Sequence, residues 1–149
     1  MWFRLMRGPW PSIVVIPSDP SISAAEVIAP LVQISREEEF DPFLVLSGEG
    51  ATPASGARLA QELQAAVAAG TRVVATVDSV MTNLGGVALI RDAAAVLLVV
   101  RLGESRFDSI HSTVDIVGRE RVIGCLVLGD DRRRPFWRPV RRTETAAGA

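Results

Sequence analysis

Short runs of aliphatic and β-branched residues recur along the chain, and most are followed by a stretch whose apolar positions fall at helical spacing. The first run, Ser12-Ile-Val-Val-Ile16, ends at Pro17 and reads as a buried strand. A turn-rich loop over 17–23 leads to a predicted helix over 24–35, with Ser23 as cap and Glu26 as its capping-box partner. Pro30 lies inside that helix and is expected to kink or shorten it. Arg36-Glu-Glu-Glu39 reads as a solvated charge run. A second strand is predicted over 43–47 and a long loop over 48–56. The helix over 57–69 is stopped by Gly70, with Leu59, Leu63, Ala66 and Val67 at helical spacing. Residues 71–78 form a third strand ending in an acid, and a loop over 79–86 passes into a short helix through Arg91. A fourth strand over 94–100 is apolar on both faces. A helix over 105–117 sets Phe107, Ile110, Val114 and Val117 on one side, and a fifth strand covers 121–128.

Strands that are continuously apolar and alternate with helices call for a parallel sheet covered on both faces. The expected fold class is therefore α/β: a doubly wound, mainly parallel five-stranded sheet with helices on both faces. The expected organisation is an N-terminal arm over 1–11, a single α/β domain over 12–129, and an Arg-rich tail over 130–149 that is poorly packed.

Composition sharpens this in a few places. A chain of 149 residues is the size of one domain, and a 48% apolar content suffices for a core, so disorder is not expected over most of the length. A net charge of −1 gives no reason to expect nucleic acid. The single Cys125 rules out an internal disulfide framework, and within Val122-Ile-Gly-Cys-Leu-Val-Leu128 it reads as a small buried hydrophobe. No apolar run approaches the roughly 18–20 residues that cross a bilayer, and the first ten residues are too interrupted for a secretory signal. A cytoplasmic location is expected. All 16 basic residues are arginine, so there is no lysine, and there is no tyrosine.

The span 44–129 carries a recognisable order of segments: Thr71-Arg-Val-Val-Ala-Thr-Val-Asp-Ser79, then Ala88-Leu-Ile-Arg-Asp-Ala-Ala-Ala-Val-Leu-Leu-Val-Val-Arg101, Gly103-Glu-Ser-Arg-Phe-Asp108, and Glu120-Arg-Val-Ile-Gly-Cys-Leu-Val-Leu-Gly129. It resembles the C-terminal half of the bacterial tyrosine-kinase-type P-loop ATPase domains of capsular and exopolysaccharide synthesis. The resemblance implies that Asp78 matches the Walker B acid, which helps hold the Mg²⁺ of the nucleotide, and that Ser79 matches the adjacent Thr or Ser. The two prolines that follow in the family are Val80 and Met81 here, and the closing Asn is Gly129 or Asp130. In the first half, the loop over 17–23 lies where the P-loop should be. A working P-loop needs glycines, so that backbone N–H groups can close on phosphate, and a lysine to reach the β/γ-phosphates. This loop has no glycine and the chain no lysine. Ser23 stands where the Mg²⁺-binding hydroxyl would be, and the second acidic motif, near Leu46-Ser-Gly-Glu49, is not intact. Without tyrosine there is no self-phosphorylation on tyrosine.

The resemblance therefore implies a degenerate member with no catalytic residue and no cofactor. Such a protein would be an interaction or regulatory subunit of polysaccharide synthesis or export, contacting a membrane chain-length regulator and forming homo-oligomers. Two alternatives stay open. One is a divergent nucleotide hydrolase or kinase holding ATP and Mg²⁺ through Ser23, Asp78 and Ser79, with an arginine replacing lysine. The other is a flavodoxin-like small-molecule module using the loops after Ser47 and Asp78. Asp78 has a plainer reading as a turn or cap acid, and Gly48-Glu-Gly50 with Thr52-Pro-Ala-Ser-Gly56 reads either as an anion cradle or as an ordinary loop. Ser47 and Ser79 have no evident base, and His111 is expected at the edge of a helix's apolar face. The tail brings Arg132, Arg133, Arg134, Arg138, Arg141 and Arg142 together with Phe136 and Trp137. It suits anionic headgroups at the inner membrane or an acidic partner, and reads equally as a solubilising tail.

Overall fold

The computed structural model describes residues 8–37 and 41–129. The earlier part of the arm, residues 38–40 and the tail with its six arginines lie outside the described residues. Five strands form one sheet: β1 (Ser12–Pro17), β2 (Phe43–Gly48), β3 (Arg72–Val77), β4 (Ala95–Arg101) and β5 (Val122–Leu128). Four helices connect them: α1 (Ala25–Glu37), α2 (Pro53–Ala68), α3 (Val87–Asp92) and α4 (Phe107–Val117), with a 3-10 turn over Arg119–Arg121 before β5. All four strand pairings are parallel, in the order β2-β3-β1-β4-β5. The α/β class with a parallel sheet and helices on both faces is what forms. The order is not the 2-1-3-4-5 of flavodoxin-like sheets, so the flavodoxin-like shape of the third reading is not adopted.

The topology dictates how the faces are covered. From β1 the chain moves two places toward the β2 edge, whereas the other three connections move toward the β5 edge. Crossovers of one hand then place α1 on one face and α2, α3 and α4 on the other. The buried clusters divide in this way. Val27, Ile28 and Leu31 of α1 join Ile13, Val15, Leu97 and Val99, while Leu63, Leu89, Ile90 and Val117 of the other helices join Val14, Ile16, Ala75 and Val96. β1 is buried along its whole length because it lies mid-sheet between both layers.

Several expectations need correction. Trp10, assigned to the arm, is buried among Ile13, Val15 and Val74, and the Arg72 guanidinium stacks 5.2 Å from its ring centre. Arg72 also donates to the Gly8 carbonyl at 3.1 Å, so the chain is laid onto the sheet from Gly8 onward. Pro30 does not shorten α1, which runs on to Glu37; its ring is on the exposed side, away from the core. Helix α2 begins at Pro53, four residues before the predicted start. Thr52 caps it, exchanging bonds with Ser55, and Pro53 occupies the first turn, where a missing N–H costs nothing. Phe107 is 78% exposed and Ile110 and Val114 are only half-buried, so of the predicted apolar face of α4 only Val117 is buried, together with Thr113. His111 is exposed as well, paired through Nδ1 to Asp115 at 3.0 Å. Arg121 precedes β5 rather than starting it, and its guanidinium donates to the carbonyls of Ile90, Arg91 and Ala93 at the end of α3. A cation there satisfies the helix's last acceptors and complements its dipole.

Candidate functional site

In open parallel sheets, ligands sit at the carboxyl ends of the strands, where neighbouring connections diverge. Here the diverging neighbours are β1 and β4. The loops on this edge are those after β1, β2, β3 and β4, and they contain the three residues predicted for a nucleotide site, Ser23, Asp78 and Ser79; the six predicted contact arginines of the tail lie outside the described residues.

The loop after β1 turns inward at once. The Ser18 N–H donates to the Val99 carbonyl at 2.9 Å, and the Ser18 hydroxyl lies 3.3 Å from that of Ser105. The Asp19 carboxylate accepts from the Ser21 N–H at 3.0 Å and its carbonyl from the Ile22 N–H at 3.2 Å, forming an Asx turn. Ile22 and Ala24 are buried, which draws the loop down into the core. These N–H groups are spent within the protein. A P-loop would present its N–H groups outward around an anion.

The first turn of α1 does hold an anion, and the anion is the protein's own. Glu49 follows β2, and its carboxylate accepts from the Ser23 hydroxyl at 3.1 and 3.2 Å and from the Ala25 N–H at 2.9 Å. A carboxylate at a helix N-terminus is held by unsatisfied N–H donors and by the helix dipole. Ser23 also accepts from the Ala25 N–H at 3.2 Å, but Glu26 does not return to it as a capping box. Glu26 pairs with Arg101 at the end of β4 at 2.7 Å, and Arg101 reaches Glu104 at 3.6 Å. The Arg101 N–H donates to Ser105 at 2.9 Å. The gap between β1 and β4 is thus bridged by the serine pair and by Arg101.

Asp78 directly follows β3 and is half-buried. One oxygen accepts from the Gly50 N–H and from the Asn83 side-chain amide, both at 2.7 Å. Asn83 also donates to the Ala51 carbonyl at 3.2 Å and accepts from the Gly85 N–H at 2.8 Å. Asp78 thereby ties the loop after β3 to the loop after β2. The union is close. A Cβ on Gly56 would lie 1.8 Å from the Gly85 carbonyl oxygen, and one on Gly85 would lie 1.8 Å from the Ala51 oxygen. Backbone lies on backbone here, and only glycine allows it. Ser79 is 2% exposed; its oxygen accepts from the Met81 N–H at 3.4 Å, so its hydroxyl faces the protein interior.

The suggested anion cradle over 48–56 is likewise engaged. The Gly50 N–H goes to Asp78, Ala51 to the Gly48 carbonyl, Thr52 to the Ser55 hydroxyl, and Ser55 to the Thr52 hydroxyl. Ser23 and Asp78 are brought to the same edge, joined by the adjacent residues Glu49 and Gly50, while Ser79 is buried beneath it. Sequence reasoning missed Glu49 as a helix cap, together with Asn83 and Arg101. Among the described residues no cluster of three or more His, Cys, Asp or Glu side chains is placed to hold a metal ion. An open recess of about 550 Å³ lies at the opposite end of the strands, against Asp41, Phe43, Gly70 and Arg72, away from these loops. Among the described residues no helix is long and apolar enough to cross a membrane. Cys125 is free and half-buried, and burial pushes its thiol above the ordinary range.

Comparison with known proteins finds no matching family model and no matching curated protein.

Proposed function

We propose that this protein is a non-hydrolysing P-loop-like domain that works as an interaction or regulatory module. The observation that carries the reading is Glu49: its carboxylate rests on Ser23 and the first turn of α1, where a bound phosphate would need to lie. A nucleotide phosphate arriving there would meet a like charge in place of free donors. Asp78 supports the same reading, since the oxygen that would face Mg²⁺ or its waters is engaged with Gly50 and Asn83. The hydrolase alternative needs a cation in place of the missing lysine. Arg101 reaches the first turn of α1 but is paired with Glu26 and Glu104. The residues at this edge therefore do not fit ATP with Mg²⁺.

The setting in polysaccharide synthesis or export, with a membrane chain-length regulator as partner, rests on the resemblance carried by residues 44–129, and contact of the tail arginines with the inner membrane rests on their clustering with Phe136 and Trp137 in the sequence. The test of the functional reading is phosphate release from ATP by the purified chain with Mg²⁺. The expected rate equals the protein-free background. Release that disappears in Asp78→Asn overturns the proposal.

A further inference from the structure

Three consecutive residues after β2 hold three separate parts of the fold. Glu49 reaches the first turn of α1 through the Ser23 hydroxyl and the Ala25 N–H. Gly50 gives its N–H to Asp78, just past β3. The Ala51 carbonyl accepts from the Asn83 side chain at 3.2 Å, and its oxygen lies against the Gly85 backbone. Helix α1 covers one face of the sheet, whereas the loop after β3 leads into α3 on the other. This turn is therefore a short covalent link between the two helical layers.

The two ends of the link are held differently. At the loop after β3 the hold is tight. The Asn83 side chain bonds to Asp78, Ala51 and Gly85, and none of these bonds goes to α1. Ala51 is 9% exposed, and backbone packed this closely moves between discrete arrangements instead of yielding gradually. At α1 the hold is one half-buried side chain on an exposed N–H, which water can replace. That end has two arrangements open to it, the Glu49 carboxylate on the helix or in solvent. Two residues of chain span at most about 7 Å, so a shift at Ala51 is not absorbed before it reaches Glu49.

We propose that Asp78 and Asn83 control, from the loop after β3, whether the first turn of α1 is closed. While they hold Gly50 and Ala51, Glu49 is delivered onto the helix; when they let go, it leaves. The inference rests on the reading of Glu49 as the group that closes this edge, and adds what governs the closure. A group that competes for the Asn83 amide or the Asp78 carboxylate opens the start of α1 without touching it. The coupling is reciprocal, so releasing Glu49 also weakens the hold of Asn83.

The test is a double-mutant cycle on the full chain, Glu49→Ala with Asn83→Ala, followed by equilibrium urea unfolding. Side chains that act independently combine to within about a factor of two in the unfolding constant. Here the double variant is expected to lose at least about fivefold less than the two single losses multiplied together, because each change removes what the other serves. Hydrogen exchange gives a second readout. In Asn83→Ala, a peptide over 24–31 should gain at least about tenfold in exchange rate beyond any gain in a peptide over 109–117 of α4. If Asn83→Ala does not fold, Asp78→Asn takes its place in both measurements. A cycle that closes within about twofold, or exchange that rises equally in α1 and α4, overturns the proposal. Neither readout involves ATP. An additive cycle would remove the coupling and leave the edge closed, whereas phosphate release would contradict the functional reading and leave the coupling standing.

Discussion

If the acid at the end of β3 is a structural tie, removing it should cost stability. Asp78→Ala deletes one carboxylate oxygen that accepts two bonds of 2.7 Å, from the Gly50 N–H and the Asn83 amide. A hydrogen bond to a charged group contributes about 1.5–3 kcal/mol. Gly50 is exposed, so water replaces much of its share. Asn83 is half-buried and loses the acceptor that orients it toward Ala51 and Gly85. The net loss is then about 2–3 kcal/mol. With a urea m-value of about 1.5 kcal/mol/M, the unfolding midpoint should fall by about 1.3–2 M at unchanged slope. Asp78→Asn keeps one oxygen that can accept both bonds but removes the charge that strengthens them, and should recover about half. The assay is equilibrium urea unfolding followed by circular dichroism. A change below about 0.5 kcal/mol in Asp78→Ala would refute the reasoning, because surface substitutions away from any network fall in that range. It would return Asp78 to the pool of residues available for a ligand.

Two further predictions follow from other parts of the molecule. Gly56→Ala sits inside helix α2, where such a change ordinarily gains up to about 1 kcal/mol; here the new Cβ meets the Gly85 carbonyl at 1.8 Å, so a loss of about 2 kcal/mol or more is expected in thermal melts, and a gain would show that the loop after β3 is not clamped. Alkaline pH isolates Cys125, since the chain has no lysine and no tyrosine to titrate alongside it. Burial raises its folded pKa, so the unfolded chain releases the proton first, and stability should hold below the ordinary thiol value of about 8.5 and fall as pH rises from there toward the raised folded value. Urea midpoints through that window should slope downward in the wild type and flatten in Cys125→Ser; equal slopes would contradict the burial.

The five strands were legible because each is a short β-branched run bounded by turn formers, and a continuously apolar strand has few options other than a doubly covered parallel sheet. Their order was not legible: periodicity says which face is apolar, not which neighbour pairs with it. The early start of α2 was available in Thr52-Pro53, a cap followed by a first-turn proline, but Gly48, Gly50 and Gly56 argued for a longer loop. Gly56 is in fact a helical residue whose missing side chain admits the Gly85 carbonyl, a tertiary reason absent from local pattern. Phe107 had the right spacing for a core residue and lies outside because α4 turns on Thr113 and Val117. At the site, the missing lysine and the glycine-free loop were evident from composition alone. What replaces the anion was not, because Glu49 is 26 positions from Ser23 and Arg101 is 75 from Glu26. Charges that distant meet only once the strand order is known.

The claim on which the functional reading turns is that this sheet edge is closed to nucleotide. Isothermal titration of the purified full chain with ATP and with ADP, each with Mg²⁺, measures that directly. No binding up to millimolar concentration is predicted, because Glu49 holds the first turn of α1 and Asp78 is engaged with Gly50 and Asn83. Micromolar binding that Asp78→Asn abolishes would contradict the account, and would mean that the loops after β1 and β3 open around phosphate.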